Sequence, residues 1–194
     1  DKIADLCFAP TSLAEEHLLK EGIERASVHV TGNTVVDALQ SVLRLIRTEA
    51  RGDYFAELPG FLSETSWGAS GGRRLVLITG HRRESFGKDL ESICIAIREI
   101  AQRNPDVDVV YPVHLNPNVS EPVNRLLQGA KNIHLLAPLN YVAFVRLMSL
   151  AYLVVTDSGG VQEEAVSLGK PTLVTRKNTE RPEGVQAGRA LLVG

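Results

Sequence analysis

From Arg74 onward the apolar positions follow two alternating rhythms. Leu75-Val76-Leu77-Ile78 is an unbroken apolar run of the sort found in parallel strands covered on both faces. Leu90, Ile93, Ile97 and Ile100 then recur at helical spacing, and Asn104-Pro105 closes that helix. The pair repeats down the chain. Val107, Val109 and Val110 predict a second strand, and Val119, Val123, Leu126 and Leu127 a helix stopped at Gly129. Residues 133–136 predict a third strand, with a short helix around 141–148. Residues 152–155 predict a fourth strand, 161–168 a helix, 171–174 a fifth strand and 191–193 a sixth. Strands alternating with helices at this spacing define a doubly wound parallel α/β sheet.

The first 50 residues carry a shorter version of the same rhythm. Leu6-Cys7-Phe8-Ala9 is an apolar run stopped by Pro10, and Ser12 with Glu15 three residues on forms a capping-box pattern for a helix to about Lys20. Gly22 ends that helix, Val28 and Val30 alternate as a strand, and Thr31-Gly32-Asn33 turns the chain. Ala38, Val42 and Ile46, helped by Leu39, mark one face of the next helix. Residues 52–72 break the pattern with scattered glycines and aromatics, and are expected to link two structural blocks.

Composition narrows the classes without choosing one. A 194-residue chain is long enough for a full domain and an attached piece, and 44% hydrophobic with 23% charged residues is ordinary for a globular protein. A net charge of −2 leaves no basic surplus for a nucleic-acid partner. No apolar run approaches the ~20 residues that span a bilayer, so no membrane partner is expected. Cys7 and Cys94 sit far apart among apolar neighbours, as buried free thiols in a reducing, cytoplasmic setting would. The five histidines are scattered and none pair at helical spacing, so no metal site is expected. The chain opens on Asp1 and closes on Gly194 in an expected strand, so both ends look cut from something longer.

Ligands of open parallel sheets bind beyond the carboxyl ends of the strands, and three strands here are followed by unusual residues. Thr156-Asp157-Ser158-Gly159-Gly160 leads into a helix whose free N–H groups would attract an anion, with glycines that let a phosphate approach the backbone. Glu164, about a turn further on, is placed to accept hydrogen bonds from a sugar diol. The plainer alternative is a helix cap followed by a turn. Thr79-Gly80-His81-Arg82-Arg83-Glu84 offers charge-assisted donors to a diphosphate, or else a solvated loop. In Tyr111-Pro112-Val113-His114-Leu115-Asn116-Pro117-Asn118, two prolines fix a loop that presents His114 and Asn116. Arg176-Lys177 and Thr179-Glu180-Arg181-Pro182-Glu183 add cationic donors near the same edge. Phe144 is flat enough to stack on a base, or belongs with Val145 and Met148 to a packed helix face.

Together with Gly32-Asn33-Thr34-Val35-Val36-Asp37-Ala38, these motifs occur in an order that resembles the non-hydrolysing UDP-N-acetylglucosamine 2-epimerases across nearly the whole chain. The resemblance implies a glycosyltransferase-B-type fold of two Rossmann-like domains. Residues 1–39 would be the tail of the first domain and the hinge, and 40–194 a truncated second domain that binds UDP. It implies conversion of UDP-GlcNAc to UDP-ManNAc by elimination and return of UDP, with no cofactor, in a cytoplasmic enzyme of polysaccharide biosynthesis that is commonly a homodimer. By the same resemblance, Ser158, Gly159 and Gly160 would grip the diphosphate, Glu164 the ribose, and Phe144 would lie near the uracil. Arg82 and Arg181 would serve the phosphates or sugar, and His81 would act catalytically by stabilising the departing UDP. His114, with Asn116 on the same loop, would face the cleft.

Val166 stands where that family commonly has a proline. The family's proton-handling carboxylates would lie upstream of Asp1, so the whole protein would be the enzyme and this stretch alone would turn over little or nothing. Alternatives are a hydrolysing epimerase, a glycosyltransferase of the same fold, or a non-catalytic UDP-sugar-binding module.

Overall fold

The computed structural model describes residues 3–48, 58–62 and 72–194. Most of the expected linker, 52–57 and 63–71, lies outside the described residues; within 58–62, Gly60–Leu62 forms a 3-10 turn with Leu62 buried. The chain divides into two compact units, Asp1–Ser41 and Val42–Gly194, with the boundary inside one helix.

The first unit is a strand–helix–strand repeat. Strand β1 (Cys7–Ala9) pairs in parallel with β2 (Val28–Val30), Cys7 opposite Val28. Helix α1 (Ser12–Lys20) connects them and packs Ala14, Leu18 and Leu19 on Cys7, Ala9 and Val28. The cap of α1 is one residue earlier than the capping-box pattern suggests. Thr11 is extended and its hydroxyl accepts the Ala14 N–H at 3.2 Å, while Glu15 reaches out to Arg25 at 3.2 Å. Helix α2 (Thr34–Thr48) buries Leu39 and Ile46, but Ala38, expected on that face, is exposed. The longer side chain claims the covered stripe because it buries more apolar area.

The second unit is a six-stranded, wholly parallel sheet with the order β5-β4-β3-β6-β7-β8. Its strands are β3 (Arg74–Thr79), β4 (Val107–Pro112), β5 (Ile133–Leu136), β6 (Leu153–Thr156), β7 (Thr172–Val174) and β8 (Ala190–Leu192). The crossovers are α3 (Lys88–Arg103), α4 (Pro117–Leu127), α5 (Tyr141–Leu150), α6 (Gly159–Ser167) and α7 (Pro182–Gln186). Leu75, Val76, Leu77 and Ile78 of β3 are all buried, as the unbroken apolar run required, because helices cover both faces. Val76 and Ile78 face α3 and α4, whereas α5 packs on the opposite face of β3. Each fully buried Leu or Val in this core contributes about 1.5–3 kcal/mol.

The buried stripe of α3 is Leu90, Cys94, Ile97 and Ala101. Ile100, expected inside, is half exposed, since one residue of drift turns it past the sheet edge. Cys7 and Cys94 are both buried free thiols, and burial pushes the Cys94 thiol up to about 11. The fold class is therefore doubly wound α/β of Rossmann type. The chain runs β3→β4→β5 outward, then returns to place β6 beside β3. That reversal opens a crevice at the carboxyl ends of β3 and β6.

Candidate functional site

Strands β3 and β6 end side by side, Thr79 opposite Thr156, with their hydroxyls 2.6 Å apart. The next residues on each strand are locked together. Asp157 is 2% exposed, and its Oδ2 accepts the backbone N–H groups of both His81 (2.9 Å) and Arg82 (2.8 Å). From the other side the Tyr111 hydroxyl, at the end of β4, donates to the Gly80 carbonyl at 2.9 Å. Gly80 is wedged between the two: a Cβ there would lie 3.0 Å from the Tyr111 oxygen and 3.8 Å from Asp157 Oδ2. Loop 79–82 is thus clamped on both flanks. Burial pushes the Tyr111 phenol well up, so the hydroxyl stays a donor.

Helix α6 begins at Gly159, two residues before the apolar pattern places it, because Ser158 is the cap. The Ser158 hydroxyl accepts from Val161 at a long 3.5 Å, and its own N–H is held by Thr156 Oγ1 at 3.0 Å. Gly159 and Gly160 therefore form the first turn, whose N–H groups have no helical acceptor and carry the positive end of the helix. The Arg82 Nη2 sits 3.7 Å from the place a Gly159 Cβ would occupy, and the space around Gly160 is open. Arg82 meets Glu84 and Glu180 only at 3.7 and 3.8 Å, too long for tight pairing. Arg176 instead takes Glu180 with both terminal nitrogens, at 2.6 and 2.9 Å, and holds that carboxyl down at about 2. An arginine beside an open helix start is the kind of arrangement that can take an anion.

The other expected residues fall into three groups. His114 joins the clamp: its ring stacks on His81 at 5.6 Å and 16°, and its Nδ1 accepts the Asn116 N–H at 3.1 Å. Glu164 is buried on α6 and accepts the Tyr141 hydroxyl at 2.6 Å. Burial raises its carboxyl, and the Tyr141 bond pulls partly the other way. Phe144 lies one turn along α5 from Tyr141, half-buried, outside the fully buried set Ala143, Val145, Leu147 and Met148. Asn116 spends its side-chain oxygen capping α4 at 3.0 Å. Arg181 is engaged by Glu163, Nε to Oε1 at 2.6 Å.

Asp157, Tyr111 and Tyr141 were not singled out from the sequence. Each stands inside or beside a motif, but its partner comes from another strand or helix. Among the described residues, no group of three or more His, Cys, Asp or Glu is placed to hold a metal, and no helix is long and apolar enough to cross a membrane. A cavity of about 540 Å³ is lined by Glu84, Arg176, Lys177, Val193 and Gly194 among others, and reaches Arg82 through Glu84.

The sheet order and the clamped crevice are those of a Rossmann-type α/β fold, and the structural neighbours are of the glycosyltransferase-B type. The chain belongs to the UDP-N-acetylglucosamine 2-epimerase family, whose model matches residues 1–194. "Probable UDP-N-acetylglucosamine 2-epimerase" of Ralstonia nicotianae is 55% identical over 193 residues, 99% of this chain and 50% of the relative. UDP-N-acetylglucosamine 2-epimerase of Yersinia pestis is 53% identical over 188 residues, 96% of this chain and 48% of the relative. The crystal structure of the Neisseria meningitidis UDP-GlcNAc 2-epimerase bound to UDP-GlcNAc superposes with a TM-score of 0.90 at 42% identity, covering 98% of this chain and 50% of that one. The chain spans about half the length of the curated relatives it matches.

Proposed function

We propose that the whole protein is a UDP-GlcNAc 2-epimerase and that this chain supplies its UDP-binding half. In this reading residues 1–39 end the first Rossmann-like domain, and 40–194 make up most of the second. Family membership along the full chain supports the reading. The observation that carries it is that Asp157, just after β6, accepts the backbone N–H groups of His81 and Arg82 just after β3, with Arg82 Nη2 beside Gly159 at the start of α6.

The chemistry follows from those positions. Ser158 and the first-turn N–H groups of α6 take the diphosphate oxygens, and Arg82 leaves its long carboxylate contacts to add a charge-assisted bond. Glu164 accepts from the ribose hydroxyls, Phe144 borders the uracil, and Arg181 and Asn116 line the sugar side. In the elimination the C2–H proton goes to a base in the preceding domain. The C–H pair becomes the C1=C2 bond of 2-acetamidoglucal, and the C1–O bond breaks with its electrons leaving on UDP. His81 donates to the departing phosphate oxygen, and His114 walls the same edge. Return of UDP to C1, with a proton delivered to the opposite face of C2, gives UDP-ManNAc. The whole protein works in the cytoplasm as a homodimer. The isolated chain, half the length of its relatives, acts as a UDP-binding module with little turnover.

Proton NMR of the whole protein with UDP-GlcNAc in D₂O tests this. UDP-ManNAc carrying deuterium at C2 is the expected product. Free ManNAc with UDP would place the protein in the hydrolysing branch, and an unchanged sugar with bound UDP would leave a binding module.

A further inference from the structure

We infer that Asp157 is the positioning residue for the His81 imidazole. This rests on the catalytic role given to His81 above. Asp157 is 2% exposed, yet only one of its oxygens is used. Oδ2 fixes the backbone of His81 and Arg82, while Oδ1 is buried with no hydrogen-bond partner. A buried, unpaired carboxylate oxygen costs stability and needs a reason.

The group in front of it supplies one. His81 Nδ1 lies 3.8 Å from Oδ1, about 1 Å beyond a hydrogen bond. Contacts of this kind are commonly long without substrate and tighten when it binds. The half-exposed His81 ring is held on two sides. The clamp on loop 79–82 fixes its backbone, and the parallel His114 ring, itself fixed by the Asn116 N–H, covers one face. A small tilt brings Nδ1–H onto Oδ1 and leaves Nε2–H facing the phosphates over α6. Asp157 then offsets the cationic ring on one side while the departing diphosphate meets it on the other. The same carboxylate thus sets both where the ring stands and which nitrogen faces the ligand.

A mutant cycle on the whole protein tests this, with D157N, H81A and the double variant assayed for epimerisation and for UDP binding. Asparagine can still accept both backbone N–H groups but presents an NH₂ in place of Oδ1. D157N should lower kcat about 100-fold, with KM and UDP affinity within about threefold of wild type, because the amide NH₂ then donates to a bare Nδ1, and the ring keeps Nε2–H but no longer carries the positive charge that meets the departing diphosphate. In the H81A background D157N should lower kcat no further. An equal loss in both backgrounds, or wild-type kcat in D157N, would overturn the positioning role. Wild-type kcat in H81A alone would overturn the catalytic role of His81. A second readout needs no variant: ¹⁵N NMR of His81 in the UDP complex should find Nδ1 protonated, and a bare Nδ1 would refute the inference.

Discussion

Two aspartates of the six-stranded sheet are buried next to a histidine, at opposite ends of the strands. At the amino end, Asp108 of β4 uses both oxygens: Oδ1 meets His134 Nε2 at 2.7 Å and Oδ2 pairs with Arg73 Nε. At the carboxyl end, Asp157 has an idle oxygen and a histidine out of reach at 3.8 Å. The residue pair and the depth of burial are the same, at 5% and 2% exposure, but the degree of satisfaction differs. A closed network only holds strand ends together. An open one retains bonding capacity that a ligand or a moving side chain can take up. In this sheet the unspent capacity of Asp157 lies at the end that carries the candidate site.

That contrast breaks down if mutations at the two ends act alike. Ser158→Ala combined with Glu164→Ala should weaken UDP binding by about 2–4 kcal/mol by calorimetry, if each loses a charge-assisted bond. Unchanged affinity would remove the proposed site. Asp108→Ala should do the reverse, costing about 2 kcal/mol in urea unfolding with UDP affinity intact. The loss falls below the usual range for a broken buried pair because Arg73 and His134 keep access to water.

Tyr141→Phe should weaken UDP binding by about 1 kcal/mol, since Glu164 loses the donor that orients it and counteracts its burial. The pH dependence has a definite sign. Glu164 is raised in the folded state, so the stability it contributes is complete below its unfolded value of ~4.3 and lost as pH rises through the folded value. Thermal melts from pH 4 to 8 should show that decline in wild type and not in Glu164→Gln.

The smallest effect should come from Glu180. Arg176 holds its carboxyl at about 2, so its contribution is present above ~4.3 and is lost as pH falls toward 2. Glu180 is 56% exposed, and after solvent screening the contribution is under about 1 kcal/mol. Acid melts of Glu180→Gln should lack only that increment.

The strands could be read from the sequence because each is a short, mostly apolar stretch between breakers, unbroken at Leu75–Ile78 in β3 and interrupted by His29, Asp108 and His134 in β2, β4 and β5. The helix faces could be read only in part. The spacing Leu90, Ile93, Ile97 points to Ile100, whereas the buried period through Leu90, Cys94 and Ile97 puts Ala101 inside. The start of α6 was placed late because Gly159 and Gly160 carry no apolar signal, although Ser158 is an ordinary cap. At the candidate site, residue types were visible but partners were not. Asp157 meets His81 and Arg82 because β6 returns beside β3, a pairing set by crossover topology across 75 residues. Tyr141 and Glu164 meet because two helices share one face of the sheet. Local patterns do not encode such meetings.

The strand order also sets how this sheet is sewn together. Residues 72–136 supply β3, β4 and β5, and 141–192 supply β6, β7 and β8, so among the described strands the β3–β6 ladder is the single seam between two half-sheets. The candidate ligand contacts are divided across it, with His81, Arg82 and His114 on one side and Phe144, Ser158, Gly159 and Glu164 on the other. A bound nucleotide would act as a stitch over that seam. Cutting the chain at 137–140 should therefore give two pieces whose reassembly is driven by UDP, turning the switch point of the sheet into a ligand-gated splice.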